Sequence, residues 1–232
     1  MSFHLSQEQL QLKAGEVIPG EALDIIIGNK PICMKEDEEK KEPVKEAVKK
    51  GVLDILKDMY DVCEEDFVSA ELEIVPAGKA REAGFDRSMI LAYGQDDRVC
   101  AYPSMMAFFD ADKPLYTSVL VLADKEEIGS SGNTGLNTNF LYDFLHELCG
   151  EKNARQALAN SWCLSADVNA GFDPNYPEVS ERRNNCQLNY GMGIMKFTGS
   201  RGKSGSNDAS AELVGRVRKL MNDNNVAWQM GE

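Results

Sequence analysis

The sequence predicts an α/β protein in two parts, a smaller unit over residues 1–85 and a layer of strands and helices over residues 86–232. Three observations predict it. Apolar residues recur at helical spacing in three separate stretches. Short apolar runs, some rich in β-branched residues, stand between them. After about residue 85 the two patterns alternate, as they do in α/β layers.

The elements follow in order. "LDIIIGNKP" reads as a strand closed by a Gly/Pro turn. "KEDEEKKEPVKEAVKK" (35–50) interleaves both charge signs, the solvated face of a helix whose stripe is Val44, Val48, Val52, Ile55, Leu56 and Met59. "SAELEIVPAG" alternates Ala70, Leu72 and Ile74 with Glu71 and Glu73, a half-buried strand. "SMILAYG" and "SVLVLAD" follow as short apolar strands, the second unalternated like a buried parallel strand. An amphipathic helix at about 138–149 buries Phe140, Leu141, Phe144, Leu145 and Leu148, leaving His146 on its surface with Asp143 and Glu147. "WCLSADVNA" and "NYGMGIMKFTG" are strands, and "DASAELVGRVRKLMNDNN" is a helix with the stripe Val214, Val217, Leu220 and Met221.

Composition narrows the function. With 232 residues the chain can bury a real core. No apolar run approaches the roughly 20 residues of a membrane span. "MSFHLSQEQLQLKAGE" lacks the charged start and apolar block of a secretory leader, so a cytoplasmic location is expected. A net charge of −13 argues against nucleic acid and suits divalent cations. The six cysteines, Cys33, Cys63, Cys100, Cys149, Cys163 and Cys186, form no C-x-x-C pair and read as reduced thiols. His4 and His146 are too few for a histidine-rich metal site, and no H-E-x-x-H is present.

Three acidic sites share one topological address. Asp96 and Asp97 follow "SMILAYG", Glu126 and Glu127 follow "SVLVLAD", and Asp167 ends "WCLSA". Strand ends in an open α/β sheet line one crevice, where ligands bind. Carboxylates gathered there repel one another unless cations sit among them. Each site alone reads as solvated loop; the three together point to a metal hydrolase. Two ions bridged by one carboxylate form a hydrolytic arrangement, and adjacent glutamates then divide the work between ligand and base. Gly202-Lys203-Ser204 is no phosphate loop, because Phe197 stands where that pattern requires glycine.

"IVPAGKARE", "AYGQDDR", "DKEEIGSSGNTG", "SADVNAGFDPNYPEV" and "TGSRGKSGSNDASAE", in this order, resemble the aspartyl aminopeptidase/aminopeptidase I family of dinuclear zinc exopeptidases. "SFHLSQEQLQLKAGE" and "IIIGNKP" are similar to the family's lid segment. The resemblance implies part of a phosphorylase/hydrolase-like catalytic sheet flanked by helices over 86–232, and part of a β-rich lid/dimerisation domain over 1–85. It implies two divalent metal ions, Zn2+ foremost with Mn2+ or Co2+ as alternatives, peptide substrates, and a homo-oligomer built through the lid. Asp96 is then the bridging ligand, Glu127 and Asp167 are terminal ligands, and Glu126 is the general base on the bridging water. The resemblance also implies a cis peptide between Asp96 and Asp97, and a substrate contact of His4 in a neighbouring subunit's site. By the same resemblance Ala170 stands where some members carry a histidine, and the turn around Lys203 is expected to line the substrate pocket, with no role assigned to Lys203.

Family members carry a catalytic segment before the lid and another after the point where "NNVAWQMGE" ends this sequence, each with a metal-ligating histidine. Neither His4 nor His146 replaces them, so the chain reads as an internal fragment. Catalytic zinc usually has three protein ligands, histidine among them. Without imidazole, each ion keeps two carboxylates, a set that favours harder ions such as Mn2+ or Mg2+. The expectation is a metalloaminopeptidase that is weak or inactive as this chain alone. The alternatives are a non-catalytic assembly/dimerisation module derived from such a peptidase and a metal-dependent hydrolase of another substrate.

Overall fold

The first predicted helix is present as α1, Ala47–Tyr60, in a computed structural model that describes residues 3–32, 45–198 and 207–231. Two units divide the chain, residues 1–75 and 76–232. The boundary expected after residue 85 lies inside the second unit, whose first hairpin runs across it.

In the first unit, short 3-10 turns at Gln9–Gln11, Ala14–Glu16 and Gly20–Ala22 lead to an irregular segment that lies against α1. Two glycines allow the close approach. A Cβ on Gly28 would stand 2.9 Å from Val48, and one on Gly51 would stand 2.9 Å from the Cβ of Ile32. Val48, Val52, Ile55 and Leu56 are half-buried as the stripe predicts, whereas Met59 is exposed. Val44 and most of the charged run lie outside the described residues. A 3-10 turn at Glu64–Val68 follows, closed by a capping box between Cys63 and Asp66. The two expected strands of this unit, "LDIIIGNKP" and "SAELEIVPAG", form no ladder among the described residues, and Ile26, Leu72 and Ile74 are exposed. The described part of the first unit is therefore helix and turns, not β-rich. A period-2 pattern marks a segment able to pair; the ladder itself needs a neighbouring strand to hydrogen-bond.

The second unit begins with β1 (Arg81–Ala83) antiparallel to β2 (Met89–Leu91), the predicted "SMILAYG" strand. Their connection places Gly84 and Arg87 at positive φ, and Arg87 pairs with Glu82. Helix α2 spans Gln95–Asp110, with Asp96 and Asp97 out of helical geometry near its start. Helices α3 (Phe140–Cys149) and α4 (Glu151–Asn160) pack on each other, joined at Gly150, with Ala154 fully buried. Leu141 and Leu145 are half-buried, but Phe140, Phe144 and Leu148 are exposed, so α4 covers only part of the predicted apolar stripe.

Strand β3 (Met192–Met195) runs parallel to β6 (Trp228–Gly231). Between them lie the antiparallel pair β4 (Phe197–Thr198) and β5 (Asn207–Asp208) and then helix α5 (Ala211–Asp223). This is the strand–helix–strand unit of an α/β layer. Cys186 and Ile194 form its small core, where a Cβ on Gly193 would meet the Cys186 sulfur at 2.8 Å. Gln229 of β6 accepts from the Gln187 N–H at 2.8 Å and donates to the carbonyls of Gln187 and Gly191. The expected strands "SVLVLAD" and "WCLSADVNA" do not join these sheets. Single bridges, Asp124 to Gly135 and Gly171 to Cys186, tie down their ends, while Leu122 and Leu164 stay exposed.

Candidate metal centre

Three segments carry the carboxylates. After β2 the chain turns at Gly94, which has φ 76°, and Gln95 donates to the Ile90 carbonyl at 2.6 Å. Asp96 and Asp97 follow immediately, and the peptide between them is cis, as the resemblance implies. Arg98 lies 3.7 Å from the Asp97 carboxylate.

The adjacent glutamates occupy the 3-10 turn Glu126–Ile128, flanked by Lys125 and Gly129 in left-handed conformation. That turn is held from both sides. The Asn137 amide donates to the Gly129 carbonyl at 2.8 Å, and the Ser130 N–H donates to the Lys125 carbonyl at 2.8 Å. Gly135 passes so close to the Ser130 carbonyl that no side chain fits there. Thr134 donates to Asp124 at 3.0 Å, which pins the end of the "SVLVLAD" run.

Asp167 is tied to the first segment by Cys100, whose Sγ donates to the Asp167 carbonyl across 3.1 Å. The Asp167 carboxylate accepts from the Val168 N–H at 2.7 Å. Electrostatics report the convergence. Glu126 has its proton affinity raised first by Asp167, then by lost hydration, then by Glu127, Asp96 and Asp97. Burial, then Asp167, Asp97 and Asp96, push the Cys100 thiol up as well.

The structure thus brings Asp96, Glu126, Glu127 and Asp167 into one electrostatic neighbourhood. Among the described residues no group of three His, Cys, Asp or Glu side chains is arranged to hold a metal ion. The donors fit a divalent cation in charge and hardness, and they are oxygen donors only. His4 is exposed in a turn of the first unit and His146 is exposed on α3. Lys203, with the Gly/Ser turn around it, lies outside the described residues. Cys63, Cys100, Cys149, Cys163 and Cys186 are free thiols. Sequence reasoning passed over Cys100 as one thiol among six; its place three residues after Asp97, on the helix that Asp97 opens, was the available signal.

Helices, strands and an acidic cluster drawn from three segments define an α/β protein with a cation-compatible site. The chain belongs to the aminopeptidase I zinc metalloprotease (M18) family, whose family model matches residues 1–232. It is 50% identical over 235 residues to a probable M18 family aminopeptidase 1 of Clostridium acetobutylicum, covering 99% of this chain and 49% of that protein. The crystal structure of aminopeptidase I from that organism matches with TM-score 0.82 at 48% identity, over 100% of this chain and 50% of that one. An M18 aminopeptidase structure from Thermotoga maritima matches with TM-score 0.83 at 42% identity, over the same shares. The chain spans about half the length of the curated relatives it matches. Among the described residues no helix is long and apolar enough to cross a membrane.

Proposed function

We propose that the whole protein is a cytoplasmic metalloaminopeptidase that removes N-terminal amino acids from peptides, and that this chain carries its carboxylates. The observation that carries the reading is the tie between carboxylate-bearing segments: Cys100, on the helix opened by Asp96 and Asp97, donates to the Asp167 carbonyl, and Asp167 is the foremost group raising the proton affinity of Glu126. In this reading Asp96 would be the ligand shared by two divalent ions, and Glu127 and Asp167 would each serve one of them. Zn2+ is the metal named by the family, with Mn2+ or Co2+ as alternatives. When bound, the ions neutralise the cluster and polarise the scissile carbonyl.

The chain's own residues supply the rest. Glu126 takes a proton from the attacking water on its carboxylate and returns it to the leaving amine. The unit ahead of the carboxylates serves as the lid/dimerisation domain, through which a homo-oligomer forms and His4 reaches a neighbouring subunit's site. With oxygen donors alone, this chain by itself holds metal less tightly than the whole protein and is slow or inactive.

Elemental analysis after dialysis against trace zinc tests the assignment. The wild type retains metal, Asp96→Asn loses it, and Glu127→Gln and Asp167→Asn each lose part. Glu126→Gln keeps the metal while any aminopeptidase activity falls at least about 100-fold. Undiminished retention by Asp96→Asn overturns the reading. One observation favours the alternative of a non-catalytic assembly module: large apolar side chains of the first unit, Phe3 and Ile26 among them, are exposed. If that module is the function, Glu126→Gln leaves both self-association and function intact.

A further inference from the structure

A side chain other than the carboxylates joins two of the three segments that bear them. Cys100 lies in α2, the helix opened by Asp96 and Asp97, and its Sγ donates to the carbonyl of Asp167, 67 residues away in sequence. Cys100 is half-buried, while Asp96 and Asp167 are exposed. The helix around it is constrained. Pro103, three residues on, removes one backbone donor, and Ser104 donates its hydroxyl to the Cys100 carbonyl at 2.8 Å.

Among the described residues the "WCLSADVNA" segment forms no ladder, and the backbone tie nearest to Asp167 beyond it is the bridge from Gly171 to Cys186. Asp167 does bond the Val168 N–H with its own carboxylate, but that bond is local and does not fix the segment's distance from α2. Hydrogen bonds beyond the ligand shell orient ligands in metal sites, and their loss typically weakens metal binding by about 10- to 100-fold.

We propose that Cys100 is a positioning residue for the carboxylate site, its thiol setting the separation of Asp96 and Asp167 through the Asp167 carbonyl. The inference rests on the ligand assignment proposed above. It makes the thiol neither a ligand nor a nucleophile: the sulfur keeps its proton and donates a hydrogen bond that the carbonyl accepts. Serine preserves the donor, with a shorter reach; alanine and valine remove it, valine with similar bulk.

The test uses Mn2+ as the probe, because oxygen donors suit it and thiolates compete for it poorly. Calorimetric titration of the full chain compares wild type, Cys100→Ser, Cys100→Val, Cys100→Ala and Asp167→Asn. Hydrogen exchange of the metal-free proteins reports the segment around residues 164–168 separately. The expected result is Mn2+ binding about tenfold weaker in both apolar variants, with faster exchange at 164–168, and near-complete rescue of both by serine. Equal Mn2+ affinity in wild type, Cys100→Ala and Cys100→Val, with Asp167→Asn still losing metal, overturns the positioning role and leaves the site standing. Mn2+ binding indifferent to Asp167→Asn overturns the ligand assignment and the inference with it. Faster exchange in Cys100→Ser as large as in Cys100→Ala also overturns it, because side-chain volume and not the donated bond would then be at work.

Discussion

Asp66 and Glu126 are exposed carboxylates whose surroundings move them in opposite directions. The Cys63 N–H donates to Asp66 at 2.8 Å, and this bond, with the Cys63 thiol, holds Asp66 below the ordinary 3.8. A group depressed in the folded state contributes stability above its unfolded value and loses it as pH falls through its folded one. Glu126 is raised above the ordinary 4.5, with Asp167 the foremost cause. Its native state binds the proton more tightly than the unfolded chain, so its contribution is fully present below 4.5 and lost as pH rises through the folded value. Thermal midpoints measured across pH on the metal-free chain separate the two. Asp66→Asn flattens the loss of stability on acidification. Glu126→Gln raises the midpoint near neutral pH, where wild type holds a crowded negative charge, and has little effect in acid. A lower neutral midpoint for Glu126→Gln would mean that the carboxylates do not repel one another as the geometry has them.

Among the elements, α5 shows most directly how local chemistry sets a boundary. Ser210 precedes the helix in extended conformation and accepts from the Leu213 N–H at 3.2 Å, with Glu212 in the first turn facing the positive end of the dipole. Ser210→Ala is expected to destabilise by about 1 kcal/mol, read as a lower urea midpoint at unchanged slope, with Ser210→Asp close to wild type. An unchanged midpoint would place the start of α5 under tertiary control. The same chemistry explains what was legible in the sequence. α1, α3 and α5 announce themselves by apolar stripes, and their N- or C-terminal residues fall close to the expected places. α2 is silent because Asp96 and Asp97 leave helical geometry and Pro103 interrupts the pattern. α4, "EKNARQALAN", has only Ala154, Ala157 and Leu158 as its apolar face, too small a stripe to mark it. β6 is four residues long and carries no β-branched side chain. Strand runs such as "SVLVLAD" were legible as apolar but not as ladders, because a ladder depends on a second segment that the run's own residues do not encode. The site divides in the same way. Its carboxylates stood out at the ends of apolar runs, whereas Cys100 acts through a bond across 67 residues that no local pattern marks.

At the scale of the whole molecule, surface and charge oppose each other. Among the described residues many large apolar side chains are exposed, Ile26, Val68 and Leu115 among them. Such surface favours association, either with copies of itself or with other polypeptide. Against it stands a net charge of −13, which repels one copy from another over a distance set by salt. Repulsion reaches about 30 Å at 0.01 M ionic strength and about 3 Å at 1 M, while the apolar drive does not weaken as salt is added. Sedimentation velocity should therefore show a monomer near 0.01 M NaCl and larger species near 1 M. A chain that stays monomeric at both salt concentrations would show that its apolar side chains leave no surface to drive assembly.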